Sequence, residues 1–211
     1  MVIGGLFIVL IASNLLVNLY ENIRVKTFPR AFLDSRFGMS EWQVEESLGQ
    51  DLISYDDYEL LVDDPIIDHL HAQIELAIPP IVLRELENRM ETKFSKPINV
   101  FEARADAKYI FIDGKLNNVE AHFRKTFNYL GGQASSTEDL VERIKKSLDE
   151  SYNLVSRYEF EGGYGIEYKK EDMKVKLIVD SNSESIIIDL NYLPYIDHLE
   201  RVIKKRSESV F

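Results

Sequence analysis

The hydrophobic pattern in the last third of the chain repeats every second residue. Such alternation predicts strands with one face buried and the other in water, as in an antiparallel sheet covered on one side. The segment Gly162-Gly163-Tyr164-Gly165 leads into a strand rather than a helix, which predicts a hairpin turn and not a phosphate-binding loop. The alternating apolar positions are Tyr158 and Phe160; Tyr164, Ile166 and Tyr168; Met173, Val175, Leu177 and Val179; and Ile186, Ile188, Leu190 and Tyr192.

A second region with strand periodicity, residues 107–127, predicts a hairpin. Tyr109-Ile110-Phe111-Ile112 runs into Asp113-Gly114, a pair that favours the backbone twist of a two-residue hairpin turn. The predicted return strand alternates two kinds of residue. Its apolar positions are Val119, Ala121 and Phe123, and its polar positions are Asn118, Glu120 and His122.

Helical spacing and capping signals predict two helices that end at clear boundaries. Ser40 and Gln43 form a capping-box pattern, Trp42 or Val44 with Leu48 supplies the buried positions, and Gly49 ends the helix. Ser136 or Thr137 begins a second helix that runs to Ser151, with Leu140, Ile144 and Leu148 facing inward.

The other segments give weaker patterns. Leu52 to Tyr55 predicts a strand, and residues 80–94 predict an amphipathic helix with Leu83, Leu86 and Met90 inward. Asp64-Pro65 is a helix-start signal, so residues 64–76 favour a helix, although their apolar positions also alternate as in a strand. A final helix is predicted over residues 194–206.

Residues 1–20 contain no charged side chain, and the first charge is Glu21. A helix of this length spans about 30 Å, the thickness of the hydrocarbon core of a bilayer. A cleaved signal peptide and an amphipathic or core helix of a soluble domain are the alternatives, and we favour an uncleaved transmembrane helix. Asn14, Asn18 and Asn22 share one face of that helix, so it is expected to contact a partner helix there.

Taken together, these elements predict an α+β protein with an antiparallel β-meander packed against several helices, preceded by an N-terminal apolar helix. The predicted division is a transmembrane or apolar helix over 1–22, a linker over 23–37 and a single α+β domain over 38–211. The basic residues Arg24, Lys26 and Arg30 follow the apolar run, which places the domain on the cytoplasmic side of the membrane.

Composition narrows the classes of partner and chemistry. The apolar fraction of 45% is enough for a folded core, and the net charge of −11 argues against binding nucleic acid. The absence of cysteine excludes disulfides, thiol catalysis and a cysteine-based zinc site. His69 and His71 are a close histidine pair, but we interpret them as surface residues and predict no metal, cofactor or small-molecule substrate.

Two short motifs resemble those of a known family. Gly38-Met39-Ser40, followed by a polar helix that ends at Leu48-Gly49, and the hairpin Tyr109–Leu116 are similar to motifs of the SmpA/OmlA (BamE-like) small envelope domains. The resemblance implies a helix packed on an antiparallel meander, a scaffolding or binding role without catalytic residues, and an extracytoplasmic domain. That location opposes the one that the basic flank predicts, so the side of the membrane stays open. The family enters the envelope through a lipidated cysteine, which this chain does not have.

No nucleophile–base pair, metal cluster or cofactor loop is readable in the sequence, so we do not expect an enzyme. The leading hypothesis is a membrane-anchored, single-pass interaction or scaffolding protein whose acidic domain binds protein partners. One alternative is a soluble subunit of a larger assembly, with the first helix buried at a subunit interface. The other is an enzyme with a carboxylate site that the sequence does not reveal.

Overall fold

A computed structural model describes residues 31–59, 89–101, 103–123, 136–182, 185–194 and 201. These residues form an antiparallel sheet with a few helices, which confirms the predicted α+β class. The helices are α1 (Glu41–Leu48), α2 (Tyr55–Glu59) and α3 (Thr137–Ser151). The strands are β1 (Met90–Phe94), β2 (Ile98–Val100), β3 (Ala103–Ile112), β4 (Lys115–Phe123), β5 (Asn153–Phe160), β6 (Gly163–Lys170), β7 (Met173–Asp180) and β8 (Ser185–Tyr192).

The eight strands form one sheet in the order β1-β3-β4-β8-β7-β6-β5, with β2 also paired to β3. The β3–β4 hairpin turns at Asp113-Gly114, where both residues have positive φ angles of 51° and 70° as a type I′ turn requires. Strands β5 to β8 follow one another as a meander. The β3–β4 hairpin and the meander meet where β4 pairs with β8.

The main core lies on one face of the sheet, which we call the core face. Val119 and Ala121 of β4, Leu177 of β7 and Tyr168 of β6 have no exposed surface, and they belong to one cluster with the inward side of α3. Ile144 at the centre of α3 is also fully buried, so this amphipathic helix packs against the sheet. Ser136 caps it, accepting a 3.2 Å hydrogen bond from the backbone of Asp139.

Helix α1 begins and ends as its sequence predicts. Ser40 and Gln43 form the capping box, and Gly49 ends the helix at a φ of 66°. Of the two proposed buried positions, Val44 is the correct one: it is fully buried, whereas Trp42 is 57% exposed. Met39, which precedes the N-cap residue Ser40, accepts a 2.8 Å backbone hydrogen bond from Leu116, which ties α1 to the β3–β4 hairpin.

Two predictions made from local pattern are wrong. Residues 90–94 are not the end of a helix but the strand β1, because each of them pairs with a residue of β3. The predicted strand 52–55 is reduced to a single bridge between Ile53 and Phe94, after which α2 begins at Tyr55. Tyr58 of α2 stacks on Phe94 with ring centroids 4.4 Å apart, so this short helix covers the sheet on the face opposite the core face.

The predicted rule of one buried and one wet face holds for β7 but fails in the interior strand β4 and in the end strand β5. In β4 every residue after Lys115 is buried, including the polar Asn118, Glu120 and His122 that were expected to face water. In β5 seven of the eight residues are exposed and the other is half-buried, although Tyr158 and Phe160 were expected to face the core. The buried polar residues of β4 and the exposed apolar residues of β5 are therefore the starting points for a functional site.

The remaining predictions fall outside the described residues. They concern the apolar helix over 1–22, most of the linker 23–37, the helix predicted over 64–76 and nearly all of the one over 194–206. Within the described ranges, no helix is both long and apolar enough to cross a membrane.

Candidate functional site

A row of charged and polar side chains crosses the face of the sheet opposite the core face, which we call the second face. The pairing register places each member directly opposite the next on the neighbouring strand, so their side chains lie on the same face. We call this set the polar row. Its members, in order across the sheet, are Lys108, Glu120, Asp189, Lys176, Glu167 and Ser156.

The row begins in a buried ion pair. Lys108 Nζ lies 3.3 Å from Glu120 Oε2, and the side chains of these residues are only 8% and 3% exposed. His122 Nε2 lies 3.5 Å from the same carboxylate oxygen. Burial alone would raise the pKa of Glu120, but the hydrogen bond with His122 and the charge of Lys108 outweigh it, and the pKa is lowered.

Asp189 stands directly opposite Glu120 and its pKa moves the other way. Burial is the main cause of the raised pKa of Asp189, and the negative charge of Glu120 adds to it. Asn118 limits the rise, since its Nδ2 donates a 2.6 Å hydrogen bond to Asp189 Oδ1. The same nitrogen donates a 2.8 Å hydrogen bond to Asn191 Oδ1.

Two carboxylates on adjacent strands are therefore held with pKa values pushed apart. Two buried atoms beside them, Asn118 Oδ1 and His122 Nδ1, have no hydrogen-bond partner among the described residues. The group of Lys108, Glu120, Asn118, His122 and Asp189 thus contains two carboxylates with opposite pKa shifts and retains unused hydrogen-bonding capacity.

We predict that Asp189→Asn stabilises the fold increasingly as the pH rises from about 3.8, the ordinary pKa of an aspartate. Because the folded-state pKa of Asp189 is raised, the unfolded chain ionises first in this range, and the wild type loses stability until the pH passes the raised pKa. The asparagine lacks this loss and still accepts the hydrogen bond from Asn118. Urea unfolding of both proteins from pH 3 to pH 8 measures the difference.

The matched control is Asp172→Asn, which removes one negative charge from an exposed turn. A difference between Asp189→Asn and wild type that shrinks or reverses as the pH rises would show that Asp189 is not held in a proton-favouring environment.

The other end of the row is open to solvent. Glu167 Oε1 forms a 3.0 Å ion pair with Lys174, and Ser156 Oγ donates a 3.2 Å hydrogen bond to Glu167 Oε2. Burial raises the pKa of Tyr158, and the negative charges of Glu167 and Asp189 raise it further. The hydroxyl of this exposed edge-strand residue is thus electrostatically coupled to Glu167 and Asp189 of the polar row.

Strand β5 forms one end of the sheet, and in the described part of the chain no strand pairs with its outer side. We call this outer side the open edge. Its apolar side chains are exposed, with Leu154 at 48%, Val155 at 58%, and Tyr158 and Phe160 at 40% each. A long edge with exposed apolar residues is a template for pairing with another strand.

The two aromatic side chains of the open edge lie on β6 because that strand offers glycines opposite them. A Cβ on Gly165 would come within 2.1 Å of the Tyr158 ring, and one on Gly163 within 2.7 Å of the Phe160 ring. The two rings are 6.5 Å apart and tilted by 40°. They form an aromatic surface on the second face, next to the open end of the polar row.

Two shallow cavities lie along α3, away from the polar row. The larger, of 880 Å³, is lined by charged residues of α3 and by Arg157, and the smaller, of 340 Å³, includes Phe101. Neither borders Glu120 or Asp189. Their open, charged walls are those of a solvated helix face rather than of a ligand pocket.

The other site residues singled out in the sequence cannot be placed. The helix-contact face Asn14, Asn18 and Asn22 and the pair His69 and His71 all lie outside the described residues. Among residues that the structure does describe, no group of three or more histidine or acidic side chains is arranged to hold a metal ion. The expectation that the chain uses no metal or cofactor stays a prediction.

The polar row itself was missed because its members are far apart in the chain. The signal was present, since Asn118, Glu120 and His122 alternate in one strand and Asp189 and Asn191 in another. It becomes visible only when β4 is known to pair with β8.

The two motifs that resemble the SmpA/OmlA domains lie side by side. Gly38 donates a 2.8 Å backbone hydrogen bond to Leu116, and Leu116 donates one of 2.8 Å to Met39. In comparisons with protein-family models, curated proteins and solved structures, nothing matches this chain.

Proposed function

We propose that this chain is a non-catalytic, membrane-anchored interaction protein whose α+β domain binds a protein partner along the open edge. The observation that carries the proposal is the exposure of β5, in which Leu154, Val155, Tyr158 and Phe160 all present apolar surface to solvent. Exposed apolar patches on a folded domain mark sites of interaction, and an edge strand supplies the backbone groups for it.

The mode of binding that fits this edge is strand addition. A partner strand would form main-chain hydrogen bonds with β5, and its side chains would alternate between the two faces of the extended sheet. On the second face it would meet the aromatic surface of Tyr158 and Phe160. On the core face it would meet Arg157 and Glu159, which lie opposite Ile166 and Tyr164 of β6.

The membrane anchor is proposed from the sequence of residues 1–20, which has no charge over the length needed to cross a bilayer. An anchored domain has its partners confined to the same surface, which raises their effective concentration. Weak strand addition along β5 would then be sufficient for stable association.

Both parts of the proposal are tested by one experiment on the full chain in cells. A photo-crosslinking amino acid replaces Val155, and a matched control carries it at Lys146, which is exposed on α3. After irradiation, membranes are washed with carbonate and then extracted with detergent. We expect the chain in the carbonate-resistant fraction, with protein adducts at position 155 and few or none at position 146.

Equal labelling at the two positions would reject the open edge as the binding site. Release of the full chain by carbonate would reject the anchor and favour the soluble assembly subunit, in which the first helix is buried against other subunits. The two parts of the proposal therefore fail separately.

The alternative of an enzyme with a carboxylate site is favoured by the separated pKa values of Glu120 and Asp189. It ranks second because general acid–base catalysis requires contact with the substrate, and Glu120 is only 2% exposed. The cavities along α3 do not reach this pair. The apolar side chains of the open edge, by contrast, are exposed to solvent and can be contacted by a partner.

A further inference from the structure

We infer that the partner bound at the open edge is the β5 strand of a second copy of this chain, because the sequence of β5 is complementary to itself in an antiparallel pair. This inference rests on the proposed function and identifies the occupant of the site. The two strands would run antiparallel about a two-fold axis, with Tyr158 of one copy opposite Tyr158 of the other. The two sheets would then continue into one another across the axis.

Symmetry restricts how β5 can pair with itself. In an antiparallel pair, residues directly opposite each other point to the same face, and the two-fold axis preserves that face. Residues of like parity between Ser156 and Phe160 must therefore meet, and one residue lies opposite itself on the axis. The bulge between Leu154 and Ser156 lies outside this stretch.

Charge then selects the register. With Tyr158 on the axis, Arg157 of each copy lies opposite Glu159 of the other, which creates two opposite-charge pairs. With Arg157 on the axis the two arginines face each other, and with Glu159 on the axis the two glutamates do. Like charges directly opposite each other destabilise a sheet, so the Tyr158 register is the one the sequence favours.

The second face of the same register is apolar. Tyr158 would lie opposite its symmetry equivalent, and Phe160 opposite the small side chain of Ser156. The two rings lie against Gly165 and Gly163 of β6, on the side of β5 away from the open edge. Aromatic pairs across strands are among the favourable side-chain combinations in sheets.

Single-cysteine cross-linking tests the register directly, because the chain contains no cysteine. In detergent-solubilised full chain, Tyr158→Cys is expected to form a disulfide-linked dimer on mild oxidation, since only the axial residue meets itself. Phe160→Cys alone and Ser181→Cys, in an exposed turn, are the matched controls and should give no disulfide-linked dimer. Mixing Phe160→Cys with Ser156→Cys chains should restore cross-linking.

Charge reversal provides a second test that does not alter the Tyr158 ring. Arg157→Glu places four glutamates around the axis and should weaken dimerisation, measured by sedimentation equilibrium, by at least about tenfold. Arg157→Glu with Glu159→Arg should restore it. Dimerisation that is insensitive to Arg157→Glu, or a Tyr158→Cys yield no higher than that of Ser181→Cys, would overturn the self-pairing.

These results separate the inference from the proposed function. If photo-crosslinking at position 155 yields adducts with other proteins while the cysteine and charge tests fail, the open edge binds a different partner and only the self-pairing is wrong. If position 155 yields no adducts above the control, both are wrong.

Discussion

Replacing Lys108 by methionine is expected to lower the free energy of unfolding by about 3–5 kcal/mol, the cost typical of removing one partner of a buried ion pair. Methionine has nearly the same length as lysine, so the loss of packing is small. The cost arises because the Glu120 carboxylate, only 3% exposed, is left without the ammonium group 3.3 Å away. Urea unfolding at pH 7 measures the change.

The double variant Lys108→Met/Glu120→Gln is the control. It removes the buried charge and keeps an acceptor for His122, so most of the lost stability should return, with a coupling energy of about 2 kcal/mol or more. The cost of Lys108→Met should also shrink at acid pH. The lowered pKa of Glu120 contributes stability above its ordinary value of 4.5 and loses it as the pH falls through the folded-state pKa. A double variant no more stable than the single one would contradict the ion-pair account.

The second large effect is expected at Ile144→Ala, which should destabilise the domain by about 2–5 kcal/mol. Ile144 is fully buried where α3 packs on the core face. Truncation removes apolar contacts and leaves a cavity between the helix and the sheet. Thermal unfolding followed by circular dichroism should show a midpoint temperature below that of the wild type.

Lys146→Ala is the matched substitution on the exposed side of the same helix. Because alanine is a good helix former and the site is exposed, its effect should stay within about 0.5 kcal/mol. If Ile144→Ala and Lys146→Ala have equal effects, α3 does not contribute to the core.

The parts of the fold that sequence predicted are those set by neighbouring residues. Ser136 and Asp139 are three positions apart and cap each other's backbone, so the start of α3 is visible in the sequence. The turn at Asp113-Gly114 depends on two adjacent residues that tolerate positive φ angles. The same holds for α1, between Ser40 and Gly49.

The parts that sequence missed depend on partners far along the chain. Residues 90–94 continue the helical spacing of the segment before them, yet Phe94 is held by pairing with Lys108 and by stacking against Tyr58. Glu120 and Asp189 look like ordinary surface carboxylates in separate strands, and only the β4–β8 pairing brings them opposite each other.

Strand β5 was predicted as a strand, but the expected burial of its aromatic residues was wrong for a different reason. Tyr158 and Phe160 have the spacing of buried residues, but β5 is an end strand and its rings lie against glycines of β6 on the second face. Alternation identifies a strand and its two faces. It does not tell which face is covered, or whether the strand lies at the centre or the end of its sheet.

The junction between β4 and β8 has a consequence for the order of folding. The β3–β4 hairpin and the β5–β8 meander are each built from neighbouring segments, so their contacts close short loops and form quickly. The hydrogen bonds from Asn118 to Asp189 and Asn191, by contrast, join positions 71 and 73 residues apart. Their formation closes a much longer loop than either hairpin does, at a higher entropic cost, so we expect the docking of the two halves to be slower than their own formation. Until that step the polar side chains of β4 remain hydrated, and β4 and β8 present unpaired edges in addition to that of β5.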